Sequence, residues 1–418
     1  MRVPLAPFVE PGRNDAAMAF LIAASVFVFA YSFRFGPVAI LFYYALWFPF
    51  IALLPGRVLA AAADGWPILL FAAFAISSVL WSQAPGTTLR AGVQLATHAA
   101  CVLAAARLAT LRGFTLGLVA GTLAVLVWSV LFGRSSYDPL DGSYTFVGLF
   151  GSKNQLGFFA SLGVLAALFA LTFETTWPRR AGLMAVALFA LAVLAASDSA
   201  TAILTLAVAL ATLALALALR RLATEARLVL ALGGGVFLLL AIVLAVQGGA
   251  VEMVLGAFGK DTTLTGRTYL WSEGLGVFTE RPWTGTGYSA FWVQGLSHAE
   301  RLWEEFFIGS RSGFHFHNTW IEVLAELGVG GAALLALVFT GALRRAVTGV
   351  VRTCEPLPHA FVLALVVLLL ARSMSEVDAM TPFAVGSFIL FFLAVFGRRP
   401  VHVHAPPPGW RVRLGRPA

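Results

Sequence analysis

Apolar runs of about 20 residues recur along nearly the whole chain, parted by short polar turns, and this repetition constrains the fold more than any other feature. Each run can carry a helix across a hydrocarbon layer roughly 30 Å thick, where the backbone must satisfy its own hydrogen bonds. Only 11% of the 418 residues are charged and 60% are hydrophobic, against about a quarter charged in soluble domains. Mean hydropathy is +0.88. The expected fold class is all-α, a polytopic helical membrane protein. Twelve spans are expected, at about 16–33, 37–54, 66–82, 89–107, 112–132, 154–173, 181–197, 199–219, 227–247, 317–341, 359–372 and 380–397. Abundant Gly and Ala suit close helix approach in lipid.

A net charge of +8 and a pI near 10.1 would suit a nucleic-acid binder if the basic residues clustered. They are scattered one to three at a time between apolar runs, so nucleic acid is excluded and the charges read as topology signals. Short basic segments such as Arg179–Arg180, Arg220–Arg221 and Arg344–Arg345 fall on one side of the membrane, which places both termini in the cytoplasm. The chain then divides into nine spans over 1–247, a large outer loop over 248–316, three spans over 317–397 and a cytoplasmic tail over 398–418. Pro4, Pro7 and Pro11 precede the first run without a small-residue cleavage site, so that run reads as a retained helix. Cys101 and Cys354 sit far apart on different levels, and no disulfide is expected.

Polar residues gather just after the large loop. Asn318, Glu322 and Glu326 are spaced i, i+4, i+8 and share one face of a helix, with His317 at its start. An imidazole there would accept a proton from a hydroxyl nucleophile; Asn318 would otherwise cap the helix, and the glutamates would satisfy partners between helices. His315 could share the work of His317. Gly266–Arg267–Thr268–Tyr269–Leu270–Trp271 places an arginine at the start of a helix expected over 266–279, which suits a phosphate or diphosphate; the alternative is an ion pair with Asp261. Lys153 and Asn154 open the sixth span, where the helix dipole disfavours a cation unless an anion joins it. Arg372 is a second anion contact or a partner of Glu376 or Asp378. Arg90 is a further candidate, and Asp198 reads either as functional or as part of a tight helix–helix turn. The stretch 302–308 mixes aromatics with acids and would form a short helix on the membrane interface. His298, His315 and His317 lack a cysteine cluster or metal-binding spacing, so no metal is expected. There is no phosphate-binding glycine loop or dinucleotide fingerprint, and no cofactor is expected.

At these residues the chain resembles the O-antigen ligase and polymerase superfamily, the Wzy-C type, over nearly its whole length. The family pattern of His, then Asn, Ser or Gln, nine residues, Gly, two residues, and Gly, Thr or Tyr is met by His317, Asn318, Gly328 and Gly331. Gly266, Arg267 and Trp271 strengthen it from inside the large loop. The segments 150–154, 266–271 and 315–322 look most like the exopolysaccharide polymerase branch.

The resemblance implies a GT-C-like fold in the bacterial inner membrane with its active site on the periplasmic face. It implies a metal-independent, inverting glycosyltransferase whose donor is an undecaprenyl-diphosphate-linked glycan and whose acceptor is a glycan or lipid A core. Membrane lipids, a chain-length regulator and export proteins are the further partners it implies. Arg267 would bind the donor diphosphate and His317 would activate the acceptor hydroxyl; beyond the resemblance, Glu322 on the polar helix face is expected to hold the His317 ring. Ligases carry an arginine after a serine at the start of the eighth span; here Ser197–Asp198–Ser199–Ala200 has no base, which favours polymerase over ligase and leaves Lys153 or Arg372 as the second cation. A non-enzymatic lipid-glycan transporter is a rival of another class, but it expects internal repeats or broken midplane helices, and no clear repeat is present.

Overall fold

The computed structural model describes residues 6–138, 143–230, 266–353 and 356–396. Its elements are α1 (Ala6–Val9), α2 (Asp15–Phe35), α3 (Pro37–Leu53), α4 (Pro55–Asp64), α5 (Trp66–Ser77), α6 (Pro85–Leu108), α7 (Leu111–Phe132), β1 (Arg134–Asp138), β2 (Ser143–Gly148), α8 (Lys153–Ala170), α9 (Trp177–Ala196), α10 (Ala200–Leu219), α11 (Arg267–Glu280), α12 (Ser297–Glu305), α13 (Thr319–Arg352), α14 (Pro356–Ser373) and α15 (Val385–Phe396). The protein is an all-α, polytopic membrane protein. Among the described residues, seven helices are long and apolar enough to cross a membrane, or eight if α3 and α4, bent by 101°, make one span. Three shorter apolar helices cover 66–80, 357–373 and 385–396. Of the ninth expected span only 227–230 is described, and Asp261, Lys260 and Cys354 lie outside the described residues.

Small residues set how closely the spans pack. α2 runs along α7, α8 along α9, and α10 and α13 along α14. A Cβ at Gly117 would stand 2.7 Å from that of Ile22, and one at Gly121 would stand 2.8 Å from that of Val26. The two glycines, four apart on α7, let the backbone of α2 approach as no larger residue would. Cys101 is free and buried in α6.

Two connections differ from their expected form. The segment between α7 and α8 contains an antiparallel ribbon pairing Tyr137 with Tyr144 and Ser136 with Thr145. The helix expected at 302–308 runs instead over α12, and its buried Ala299, Leu302 and Trp303 face inward. Leu302 joins Leu270, Val277, Phe291, Phe306 and Phe316 in a second apolar core that also takes in Ile321 and Ala325 of α13. The loop therefore spends its apolar face on its own core rather than on lipid.

That core docks the loop onto a break in α13. Gly328 has φ +62°, a conformation favoured by glycine. In an unbroken helix the Ala325 carbonyl would accept from Val329. Here Ala325 O accepts from the Thr286 N–H at 3.0 Å, Glu326 O accepts from Gly287 N–H at 2.8 Å, and Val329 N–H donates to Pro282 O at 2.8 Å. The turn-rich stretch 282–287 thus satisfies the backbone groups that the break exposes.

Candidate active site

Four chain segments meet at the starts of α8, α11 and α13, around one carboxylate. Glu376 lies in the turn between α14 and α15, with its side chain 4% exposed. Its Oε1 accepts from Asn154 Nδ2 at 2.6 Å and from Arg267 at 3.0 Å. Its Oε2 faces His317 Nδ1 at 3.6 Å. Its backbone carbonyl accepts from Thr319 Oγ1 at 2.7 Å.

Each partner is held by local structure. Gly266, at φ +81°, ends the preceding chain in a left-handed turn and puts Arg267 at the first position of α11. Ser152 caps α8 through Gln155 N–H, which sets Asn154 in the first turn. Asn154 Oδ1 in turn accepts from Ser199 Oγ at 2.8 Å, and Ser199 caps α10. Asn318 caps α13 by accepting from Trp320 and Ile321 N–H and donates to Met374 O at 3.2 Å. Trp320 Nε1 donates to Ser373 Oγ at 3.0 Å. The start of α13 therefore grips the 373–376 turn at several points.

His317 sits just before the cap at φ +52°, a strained position for a side-chain-bearing residue that surrounding contacts must hold. Its backbone N–H donates to His315 Nδ1 at 3.1 Å, and the two rings lie 4.3 Å apart. Phe316, between them, is buried, and its N–H donates to Glu322 at 2.8 Å.

The contacts correct one expectation: the carboxylate beside the His317 ring is Glu376, not Glu322. Glu322 accepts from Phe316 N–H and from Trp292 Nε1 at 2.9 Å, and Glu326 accepts from Ser289 N–H at 2.9 Å. Both glutamates tie the loop to α13. Glu376 had surfaced in the sequence only as a partner for Arg372. Its one signal there is an acid in a short turn between two apolar runs.

Arg372 is also placed differently from an open anion contact. It is 1% exposed, pairs with Asp378 at 2.7 Å, and lies 4.0 Å over the ring of Phe158, which holds the cation on an aromatic face. Lys153, half-buried, immediately precedes Asn154. Arg90 is exposed near the start of α6, and among the described residues no contact joins it to this cluster. Asp198, at φ +49°, turns the chain between α9 and α10.

Electrostatics follow the geometry. Burial pushes the Glu376 carboxyl up, but His317 close by, with the charges of Arg267 and His315, outweighs it and holds the group below the usual carboxylate range. Burial, with His317 beside it, pushes His315 down to about 3, so its ring is neutral at ordinary pH. Burial raises Asp378 against the pull of Arg372. The site thus keeps an ionised carboxylate beside an imidazole. A proton on His317 Nδ1, facing Glu376, leaves Nε2 as an acceptor. The spacing along the chain offered no metal site; the fold adds Glu376 to His315 and His317, and one ligand atom from each lies within 4.8 Å of the others.

Residues 185–336, which include Arg267, His317 and Gly328, match a family model described as O-antigen ligase. The chain is 46% identical over 402 residues to the exopolysaccharide production protein ExoQ of Rhizobium meliloti (strain 1021), an alignment covering 94% of this chain and 91% of that protein. With that match running through both the helical body and the His317 cluster, the chain belongs to the O-antigen ligase and polymerase superfamily.

Proposed function

We propose that this protein is a metal-independent, inverting polysaccharide polymerase of the bacterial inner membrane. It lengthens an exopolysaccharide on the periplasmic face from an undecaprenyl-diphosphate-linked oligosaccharide. The observation that carries the reading is the convergence of Arg267, His317 and Glu376 from three separate elements onto one half-buried cluster. The similarity to an exopolysaccharide production protein supports a growing glycan rather than lipid A core as acceptor.

In this reading an acceptor hydroxyl oxygen attacks the anomeric carbon of the donor. The bond from that carbon to the diphosphate oxygen breaks, and the diphosphate leaves with the electron pair. His317 takes the hydroxyl proton, on Nε2, while Glu376 orients the ring and stabilises the imidazolium. Arg267, with Lys153 at the start of α8, offsets the charge that grows on the leaving diphosphate. Glu322 acts one step back by fixing Phe316 N–H and so the strained backbone at His317. Asn154 holds Glu376, and Asn318 holds the turn that carries it.

The test uses purified protein, an undecaprenyl-diphosphate oligosaccharide and EDTA, with no other acceptor, following diphosphate release and glycan length together. Lipid-linked chains should lengthen, and His317→Ala and Arg267→Ala should stop them while both variants stay folded. Transfer only after lipid A core is supplied would replace polymerase by ligase. No donor consumption with either acceptor would return the protein to lipid-glycan transport.

A further inference from the structure

Resting on the assignment of His317 above, we propose that His315, His317 and Glu376 form a binding site for a zinc-class divalent cation, and that its occupation switches the site off. One ligand atom of each residue lies within 4.8 Å of the other two. Zinc bound by imidazole nitrogen and carboxylate oxygen at about 2.0–2.2 Å holds its tetrahedral ligands roughly 3.3 Å apart. His317 Nδ1 and Glu376 Oε2, at 3.6 Å, already stand near that separation. The remaining closure falls to His315, which follows Gly313 at φ +72° in the segment entering α13.

The rest of the site suits a bound ion. Glu376 Oε1 stays held by Asn154 and Arg267, while Oε2 is the oxygen turned toward the histidines. A ligating carboxylate needs such outer hydrogen bonds. Two imidazoles and one carboxylate, leaving a fourth position for water, match zinc, nickel or copper and disfavour magnesium and calcium, which take oxygen donors. Arg267 beside Glu376 opposes a dication, so binding is expected to be weaker than at a dedicated zinc centre. An ion here would engage both His317 and the carboxylate that orients it. With the ion on Nδ1, the ring's proton sits on Nε2, so His317 no longer accepts a proton and the reaction is not assisted.

The experiment is a zinc titration of the full-length protein in lipid nanodiscs, previously stripped with chelator, by calorimetry and zinc-edge X-ray absorption, with donor turnover read at the same buffered zinc levels. One ion should bind with nitrogen and oxygen ligands only. His315→Ala should weaken it by more than about 10-fold, since even outer partners of a metal contribute 10- to 100-fold. His298→Ala, an exposed change on α12, should leave it unaltered. Turnover should fall as the site fills and return with EDTA. No saturable binding, or equal binding in His315→Ala and Glu376→Gln, would overturn the site. Binding without loss of turnover would overturn the switch. The turnover of His317→Ala in EDTA without zinc judges the polymerase assignment separately.

Discussion

The α2–α7 seam and the cluster around Glu376 are both buried contacts in one helical body, yet they are built on opposite principles. At its glycines the seam is apolar and set by fit: Gly117 and Gly121 admit Ile22 and Val26, and the polar contact of Tyr31 with Val125 O and Ser129 stands apart from them. The cluster is polar and joins residues as distant as Asn154, Arg267 and Glu376. In lipid the first kind of contact gains from fit alone. The second gains only if every partner arrives, because a buried charge left unpaired is expensive. The seam should therefore respond to volume and the cluster to chemistry.

Substitutions can break that contrast, and the largest effects belong to the cluster. His317→Ala should cut turnover about 100- to 10,000-fold, the usual worth of a general base. Arg267→Ala should cost about 100- to 1,000-fold. In His317→Ala, thermal unfolding in detergent should shift far less than activity, and equal loss of both would erase the distinction; Arg267→Ala strips a partner from buried Glu376 and should lower the midpoint as well. Gly121→Leu should do the reverse of His317→Ala. A Cβ there meets Val26 and the Ala23 backbone at 2.8 and 3.0 Å, and overpacking of this kind costs about 1–3 kcal/mol. The unfolding midpoint should drop with turnover per folded molecule kept.

Acid should find the cluster before the seam. The folded pKa of Glu376 lies below its ordinary 4.5. Its contribution to stability is thus present above that value and is lost as pH falls through the folded pKa. Unfolding midpoints measured downward from pH 5 should fall in the native protein and fall less in Glu376→Gln; parallel curves would remove Glu376 as the acid-sensitive group. Trp292→Phe sharpens the comparison at smaller scale. It takes one donor from Glu322 while Phe316 N–H remains, and should cost about 1 kcal/mol with a drop in turnover through His317. The smallest effect is expected for Arg301→Ala. Arg301 pairs with Glu273 and Glu305 on the loop surface, and exposed pairs contribute about 0.2–1 kcal/mol.

The same contrast explains what could be read from the chain alone. Apolar runs announce helices because hydrocarbon leaves the backbone no other local option. The helix over 266–279 was visible from Arg281–Pro282, and it runs Arg267–Glu280. The polar start of α13 was visible because charge is rare there. Asn318 as a cap followed from its position. Glu322 is the sequence's choice for the His317 ring because it lies on the polar face of the helix that His317 opens. His317, however, lies before the cap in a left-handed conformation, so its ring points away from that face and toward the 373–376 turn. The inward packing of α12 and the ribbon at 134–148 were hidden because each depends on a partner surface made elsewhere in the chain.

The sequence by itself determined a helical membrane protein with a histidine, an asparagine and an arginine set at helix starts, since hydrophobic length and capping act over a few residues. Only the tertiary structure decided which carboxylate faces His317. It also decided that Arg372 is closed off by Asp378 and Phe158, and that Gly328 breaks α13 to receive the loop. Those outcomes depend on which groups meet across tens to hundreds of residues. Pairing of buried polar groups is settled by distance in space and not by spacing along the chain.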